Sequence, residues 1–481
     1  MSIAETDSHP GKADEPHRGI PGPHAPPTGS RPDSRMRGDR IFFLATALYL
    51  ALAFATGGGS QDSGFDDAIV QWLALPLMAC AAWRFVGDGV PRWARWPLAI
   101  ACGIVALPLL QLLPVHPARP ELARDLAVAG VEAPTRWSLS RNGSLHAWSS
   151  LLPAFAVFLA ACAMPRDAHR RLLKLLAWLA GGSLLLGFVQ LGLPQDSPLN
   201  PFPQWAPALG GVFANPNHQA IMLGIGAVIA FLLGRSAWSG TGRQRKPQAL
   251  ALWLCAFACM AALPMTGSRA GLLISFAALA AAVLLRDPAT NRSPRSHRKA
   301  LAAVAGVAFV AAVFVAWRWM QVDAIDESRG VLRAATWSLG WRHAPWGTGF
   351  GSFVPVFEQE GPARLLGPEF FNHAHNEYVQ WWLEGGVPAA LLFAGVLALL
   401  ASALRGLWRL RARGRQDVVA LCCVLGILML LAHSWVDFPL RTPALMSVAA
   451  VLCAILFARA PGPPIERAGE IARDALPARH N

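Results

Sequence analysis

The sequence predicts an all-α membrane protein that crosses the lipid bilayer about twelve times. Of its 481 residues, 54% are hydrophobic and only 15% are charged, whereas about 25% are charged in an average soluble domain. The apolar residues also form blocks of roughly the 20 residues that a membrane-spanning helix needs. These observations exclude a soluble enzyme, a disordered protein and a fibrous protein.

Twelve apolar blocks are the predicted spans, and the loops between them alternate in charge. The spans are expected at 41–57, 67–86, 96–115, 147–164, 171–193, 218–234, 249–265, 269–286, 299–318, 386–404, 417–434 and 440–458. The segments 57–67 and 194–217 contain no Lys or Arg, while the alternate loops are rich in arginine. Because cytoplasmic loops carry an excess of Lys and Arg, this alternation predicts a multi-pass protein with both termini in the cytoplasm.

The two ends of the chain are predicted to be cytoplasmic tails. Residues 1–38 are rich in Pro, Gly and His, a composition that favours disorder. Residues 461–481 form the second tail, and the transmembrane domain between the tails is expected to cover 41–460. The formal net charge of +13 follows from the basic loops, so we predict contact with membrane lipids and no nucleic-acid partner.

A long loop, residues 319–385, lies on the non-cytoplasmic side of the predicted topology. A loop of this length without regular structure is uncommon, so short helices lying on the membrane are expected. Its segment "GTGFGSF" lacks the strand and the lysine of a nucleotide-binding loop and is interpreted as a tight turn.

Two polar motifs border spans on the same side as this loop. The motif "GGVFANPNHQA" places Asn215 and Asn217 at the start of the sixth span, as helix caps or as a polar rim that orients a sugar or phosphate. The motif "TGSRAGLL" places Arg269 in a tight turn, where it either snorkels to the interface or binds an anion. Arginine suits phosphate because its planar guanidinium binds two oxygens at once.

The long loop carries the densest set of polar residues. Arg329, Arg333 and Trp337 are spaced by four, so a helix would present them on one face. The motif "FNHAHNEYVQWWLEGG" holds His373 and His375. A general base is favoured over a zinc site because no acid-rich ligand pattern accompanies these histidines. We therefore expect no metal and no cofactor.

The last polar motif, "HSWVDFPLRTPA", lies before the final span. Its His433, Asp437 and Arg441 are expected to pair with one another. All of these motifs fall on one side of the predicted membrane, which indicates a single outward-facing site. Arginines together with a base suggest transfer chemistry on a phosphate-activated substrate.

Taken together, the motifs between about 211 and 444 resemble those of the O-antigen ligase / Wzy polymerase superfamily of bacterial membrane glycosyltransferases. The resemblance implies a helical fold of the GT-C type. It also implies a role in lipopolysaccharide or surface polysaccharide biosynthesis at the inner membrane. The implied reaction is metal-independent and inverting, and it moves glycan on the periplasmic face from an undecaprenyl-diphosphate-linked donor to an acceptor glycan or lipid A core.

The resemblance also implies roles for individual residues. Arg269 and Arg333 would contact the diphosphate, and His375 would activate the acceptor hydroxyl, with His373 as the alternative base. The other expected substrate-binding residues are Asn215, Asn217, Arg329, Trp337, His373, Asn376 and Glu377. Ligases resemble one another in a His-Asn, nine-residue, Gly-x-x-(Gly/Thr/Tyr) pattern, but the last position here is Ala389.

This departure leaves ligase and polysaccharide polymerase open as alternatives, with protein O-glycosylation as a third variant. Outside the class, the alternative is a polytopic transporter or flippase. Such proteins usually place ionisable residues at mid-membrane, whereas the polar clusters here border the outer ends of the spans, which argues against transport.

Overall fold

A computed structural model describes the central part of the chain. The described residues are 31–59, 65–114, 137–194, 196–200, 209–285, 324–362 and 371–460, together with the single positions 128, 202, 303, 306, 310, 314 and 365. The chain divides into two units, residues 1–41 and residues 42–481. Of the first unit, residues 31–41 are described and are helical. The predicted tails at residues 1–30 and 461–481 and most of the predicted span 299–318 lie outside the described residues.

Within the described residues, every regular element is a helix. The α-helices are α1 (Arg31–Thr56), α2 (Phe65–Asp88), α3 (Arg95–Leu110), α4 (Arg141–Cys162), α5 (Arg166–Leu191), α6 (Pro216–Trp238), α7 (Arg245–Ala262), α8 (Arg269–Leu284), α9 (Ala324–Arg342), α10 (Phe353–Glu360), α11 (Glu377–Ala412), α12 (Val418–His433) and α13 (Pro443–Arg459). Short 3-10 helices cover Arg92–Ala94, Leu263–Thr266 and Pro439–Arg441.

The helices confirm the predicted all-α, polytopic membrane architecture. In the described part of the chain, 8 helices are long and apolar enough to cross a membrane, and α8, α12 and α13 are shorter apolar helices. Each predicted span other than 299–318 falls on one of these helices. The count of twelve spans and the domain boundaries stay predictions.

Helix α6 forms the centre of the bundle. It packs against α5, α7, α8 and α12, and most of its residues are buried. A helix that is apolar on all sides is typical of such a core position. Its start is fixed by Asn215, whose side chain accepts a hydrogen bond from the backbone N–H of Asn217 at 2.8 Å. The motif "ANPN" therefore does form the predicted helix cap, with Pro216 in the first turn.

Helix α11 begins nine residues before the predicted span and breaks at Gly386. This glycine has φ 55° and ψ −147°, a backbone conformation that disfavours residues with a Cβ. The break leaves carbonyl groups without helical partners, and the turn "GTGFGSF" supplies donors. The N–H of Thr348 donates to the carbonyl of Leu383 at 2.9 Å, and the N–H of Gly349 donates to that of Glu384 at 2.8 Å. Irregular backbone in a membrane protein is stable where such partners exist.

The long loop contains the short helices that its length predicts. Helix α9 has 19 residues and α10 has 8 residues. Both pack on the first part of α11 through a second apolar core, which includes Leu332, Leu339, Phe353, Phe357 and Leu383. This packing holds the loop against the end of the bundle that carries the polar motifs. We call it the site end; it comprises the starts of α6, α8, α11 and α13 and the end of α12.

Candidate functional site

The polar motifs meet around the carboxylate of Asp437 at the site end. Its Oδ2 accepts hydrogen bonds from the Nδ2 atoms of Asn217, at 2.8 Å, and Asn215, at 3.2 Å. Its Oδ1 lies 3.4 Å from Nδ1 of His375 and 3.8 Å from Nε2 of His218. These two separations are ion-pair contacts, longer than most hydrogen bonds. Three sequence-distant motifs therefore share one buried anion.

The environment of Asp437 holds it in the ionised state. Its side chain is only 1% exposed, and burial alone would raise its pKa. The interactions with His218 and His375 outweigh this burial, so the pKa of Asp437 lies well below its usual value. A permanently charged, buried carboxylate at the end of a helical bundle is costly to maintain and indicates a functional site.

His375 is held in an unusual backbone conformation beside this carboxylate. Its φ is +50°, the only positive value for a residue other than glycine in the described chain. This left-handed conformation costs about 1–2 kcal/mol. Asn376 follows it as the N-cap of α11, and its Oδ1 accepts from the N–H groups of Tyr378 and Val379. The cap fixes where the helix begins and thereby fixes the direction of the His375 side chain.

One aromatic ring, that of Phe438, packs against three imidazoles. Its centroid lies 4.4 Å from the ring of His373, 4.9 Å from that of His375 and 5.1 Å from that of His218. Nδ1 of His373 lies 3.3 Å from Nε2 of Gln380. The two candidate bases therefore share a packing partner but differ in the polar group that faces Nδ1, which is a carboxylate for His375 and an amide for His373.

A second buried charge cluster adjoins the first. Arg441 contacts Glu384 through Nη1 at 2.9 Å and Glu377 through Nε at 3.2 Å. Glu384 also accepts from the N–H groups of Gly351 and Phe353, at 3.2 and 3.3 Å. Burial opposes the charge of Arg441, but the two carboxylates outweigh it and raise its pKa. Arg441 thus joins α11, the turn before α10 and the segment before α13.

These contacts correct the expected pairing within "HSWVDFPLRTPA". Arg441 pairs with Glu377 and Glu384 rather than with Asp437. The partners of Asp437 come from the start of α6 and from the long loop. For Arg441 the expectation was wrong because it considered only neighbours along the chain, whereas tertiary packing brings acids from another element closer. His433 does interact electrostatically with Asp437.

The predicted arginines lie in different parts of the site end. Arg269 is the first residue of α8 and is half-buried, and Gly271 two residues later packs against Ala220 of α6. This contact puts Arg269 beside the start of α6. Arg329 on α9 is half-buried and acts electrostatically on His433 at the end of α12. Arg333 lies one turn further along α9.

Arg333 and Trp337 remain outside the Asp437 network in the described part of the chain. Trp337 belongs to a cluster of three indoles, with ring centroids 5.7 Å from Trp341 and 6.2 Å from Trp382. Trp337 and Trp341 are both exposed. The predicted helical face of α9 is therefore present, but it presents its tryptophans to the surface.

An apolar cavity of about 430 Å³ extends from the site into the bundle. Its walls come from α3, α4, α11, α12 and α13, and include Phe155, Phe158, Leu399, Met446 and Phe457. Its polar lining includes His146, His373 and Arg441. The cavity therefore joins a long apolar space to the histidine cluster.

Sequence reasoning missed the roles of Asp437 and Glu384. A signal for Glu384 was present, because it lies seven residues after Glu377, so a helix places both carboxylates on one face. No comparable local signal exists for Asp437, whose partner His375 lies 62 residues earlier in the chain. The described residues contain no group of three or more His, Cys, Asp or Glu that could hold a metal ion.

The fold and the site define a polytopic membrane protein with a buried polar site at one end of its helical bundle. Residues 250–394 match the family model Wzy_C, described as O-antigen ligase. This match confirms the resemblance to the O-antigen ligase / Wzy superfamily that the motifs indicate. It supports a glycosyltransferase-like enzyme of ligase or polymerase type, with a lipid-linked glycan and an acceptor as its partners. No curated protein matches the chain significantly.

The matched segment covers only part of the site. It includes Arg269, Arg333, His375 and Glu384, but Asn217 precedes it. Asp437 and Arg441 follow it. The charged clusters are therefore completed by residues from both sides of the matched segment.

Proposed function

We propose that this protein transfers a glycan from an undecaprenyl-diphosphate-linked donor to an acceptor hydroxyl at the periplasmic face of the bacterial inner membrane. The observation that carries the proposal is the apolar cavity, whose lining includes His373, two residues from His375. A polyprenyl chain needs a long apolar site, and its diphosphate needs cations at the end of that site. The match to the O-antigen ligase family supports the same class of donor.

In the proposed step, His375 acts as the general base. Its Nε2 accepts the proton of the acceptor hydroxyl while the acceptor oxygen attacks the anomeric carbon of the donor sugar. The bond between that carbon and the diphosphate oxygen breaks, and undecaprenyl diphosphate leaves with the electron pair. Attack opposite to the leaving group inverts the anomeric centre. General-base assistance of this kind contributes about 10²–10⁴-fold to a rate.

Arg269 and Arg333 are proposed to stabilise the charge that develops on the leaving diphosphate. Fixed cations at the position of developing charge can act without a metal. Arg333 has no hydrogen-bond or ion-pair partner among the described residues, so its guanidinium does not have to break an existing pair to bind phosphate. Arg329, His373 and Trp337 are the further substrate contacts that we propose.

The remaining predicted binding residues have a different role in this proposal. Asn215 and Asn217 are hydrogen-bonded to Asp437, Asn376 caps α11, and Glu377 pairs with Arg441. Because their polar atoms are engaged by the protein, we assign them to the framework that shapes the site. They contribute to binding by holding the histidines and the charged cluster in place.

Polymerase activity is the second candidate function, and Ala389 is the observation that favours keeping it. This residue is fully buried, and it packs beside Gly385 at the break in α11. It occupies the position where the ligase pattern has Gly, Thr or Tyr. The two activities share the donor and the chemical step and differ in the acceptor.

The test is an assay of purified protein with undecaprenyl-diphosphate-linked glycan, supplied alone or together with lipid A core. We expect release of undecaprenyl diphosphate. Glycan on lipid A core identifies a ligase, and a ladder on the lipid carrier identifies a polymerase. The variants His375→Ala and Arg269→Ala should each lower release by about 10²-fold or more while the protein inserts normally.

His343→Ala is the matched control for the histidine variant. His343 lies in the same loop but pairs with Glu360 at 2.9 Å, away from Asp437. The control should retain wild-type release. Wild-type rates in both His375→Ala and Arg269→Ala would contradict the proposed roles of these residues. A wild-type protein that releases no undecaprenyl diphosphate, with or without lipid A core, would contradict the function.

A further inference from the structure

We propose that Asp437 is the positioning residue of the site: it orients the His375 ring and stabilises the imidazolium that forms when His375 accepts a proton. This inference rests on the proposed function and adds to it a residue outside the segment that matches the family model. Asp437 does not contact the reacting atoms in this account. It acts through His375, in the way that a buried carboxylate orients a catalytic histidine in other enzymes.

The carboxylate is held rigidly enough to serve this purpose. Both of its oxygens have donors, since Oδ2 accepts from Asn215 and Asn217 and Oδ1 accepts from the N–H of Phe438 at 2.9 Å. The asparagines belong to the N-terminal turn of α6, the most buried helix of the bundle. A carboxylate tied to a core helix can fix the position of a group on a loop.

The His375 ring is placed so that its two nitrogens have different surroundings. Nδ1 is buried and faces Oδ1 of Asp437 at 3.4 Å, while the side chain as a whole is 21% exposed. The exposed part of the ring is therefore the part that carries Nε2. A carboxylate at Nδ1 favours the tautomer with hydrogen on Nδ1, which leaves Nε2 unprotonated and able to accept the hydroxyl proton.

The same geometry distinguishes His375 from His373. Nδ1 of His373 lies 3.3 Å from the amide nitrogen Nε2 of Gln380. An amide is neutral and cannot stabilise an imidazolium as a carboxylate does. His375 is the histidine of "HAH" whose Nδ1 faces the carboxylate of Asp437, and its strained φ of +50° keeps it there.

Other titratable and charged groups also face this pair. His218 approaches Asp437 from α6, at 3.8 Å from the same Oδ1. His433 at the end of α12 interacts electrostatically with Asp437, His218 and Arg329. These groups remain in place when only Asp437 is changed, so a fall in kcat on that change reports the carboxylate.

The test compares Asp437→Asn with the wild type in the release of undecaprenyl diphosphate from undecaprenyl-diphosphate-linked glycan. We expect kcat to fall by about 10²-fold or more, with KM for the glycan within about threefold of the wild-type value. A purely structural role would raise KM or lower the yield of folded protein, and it would not lower kcat alone.

Asn217→Ala is the second variant, for the case that Asp437→Asn does not fold. It removes the 2.8 Å hydrogen bond to Oδ2 and leaves the charge in place. We expect a smaller loss of kcat, about 3–10-fold, again without a change in KM. Glu360→Gln is the matched control, since it removes the carboxylate from the His343–Glu360 pair elsewhere in the loop, and it should leave kcat unchanged.

The outcomes separate this inference from the function on which it rests. A wild-type enzyme that releases undecaprenyl diphosphate, together with an Asp437→Asn variant of unchanged kcat, overturns the role of Asp437 alone. Folded variants in which KM rises while kcat stays unchanged overturn it as well. A wild-type protein that releases nothing overturns the proposed function and this inference together.

Discussion

The two ends of the helical bundle both concentrate charge, but they use it differently. At the site end, Asp437, Glu377 and Glu384 are buried and paired with groups from other elements, and Arg441, which pairs with both glutamates, is 14% exposed. At the opposite end, arginines reach the last carbonyls of neighbouring helices. Arg166 donates to the carbonyl of Ala458 at 3.0 Å. Such contacts at helix ends satisfy carbonyls without removing the guanidinium from its polar surroundings.

The remaining contacts of the opposite end follow the same pattern. Arg235 donates to the carbonyls of Ala282 and Leu285 at the end of α8. Arg459 pairs with Asp417 at 3.0 Å, and both side chains are partly exposed. Charge at this end therefore links neighbouring helices. Buried charge at the site end costs desolvation energy, and stability alone does not explain why it is retained.

The largest expected effect on stability is that of removing the charge of Glu384, compared with removing the charge of Asp417 at the opposite end. Glu384→Gln removes the charge that faces Arg441 and weakens the acceptor of two backbone N–H groups. Because it leaves a buried guanidinium with fewer partners, we expect the free energy of unfolding to fall by about 3–5 kcal/mol. Asp417→Asn, at a partly exposed pair, should cost about 1 kcal/mol or less.

The measurement for this pair is denaturant unfolding of both variants in the same detergent. Equal losses in Glu384→Gln and Asp417→Asn would remove the energetic distinction between the two ends. A loss confined to Glu384→Gln would sharpen it.

The next expected effect compares two glycines with positive φ, one at each end. Gly386 has φ 55°, and a Cβ there would collide with the backbone near Pro345 and Gly347. Gly414 has φ 72°, and a Cβ there would meet no atom within 4 Å. Gly414→Ala should therefore cost only the conformational penalty of about 1–2 kcal/mol. Gly386→Ala should cost more, because the turn that supports the break in α11 must also shift.

Thermal unfolding of the two glycine variants measures this difference. A smaller or equal loss in Gly386→Ala would contradict the close packing that the structure gives to the break. A larger loss, accompanied by loss of glycan transfer, would show that the turn and the broken helix hold the site together.

The sequence predicted the spans better than the contacts within the site, and the reason is physical. A span is a local property, since about 20 apolar residues suffice to identify it. The position of α11 shows the limit of this rule. Its first two turns carry Glu377 and Glu384, which lowered the apolar signal, and in the structure both acids pair with Arg441.

The site was predicted as a set of motifs on one side, and the structure does bring several of them together. Asn215, Asn217 and His375 were singled out from sequence, and all three contact Asp437. Asp437 itself was expected to pair locally with Arg441. Spacing along one segment cannot reveal a partner on another element, so the pairing of acids with bases depended on tertiary packing.

The smallest expected effect concerns the exposed pair of Asp167 and Arg171 at the end opposite the site. Their side chains are 72% and 48% exposed, and the ion pair spans 2.7 Å within one turn of α5. Asp167→Asn should lower the free energy of unfolding by about 0.5 kcal/mol.

High salt should abolish this difference, because exposed charges are screened. The loss in Glu384→Gln should persist at high salt, since buried pairs are screened much less. Unfolding of both variants at low and at 1 M salt, where the Debye length is about 3 Å, tests the distinction. A Glu384→Gln loss that disappears with salt would place both pairs in the same class and contradict the buried character of the site end.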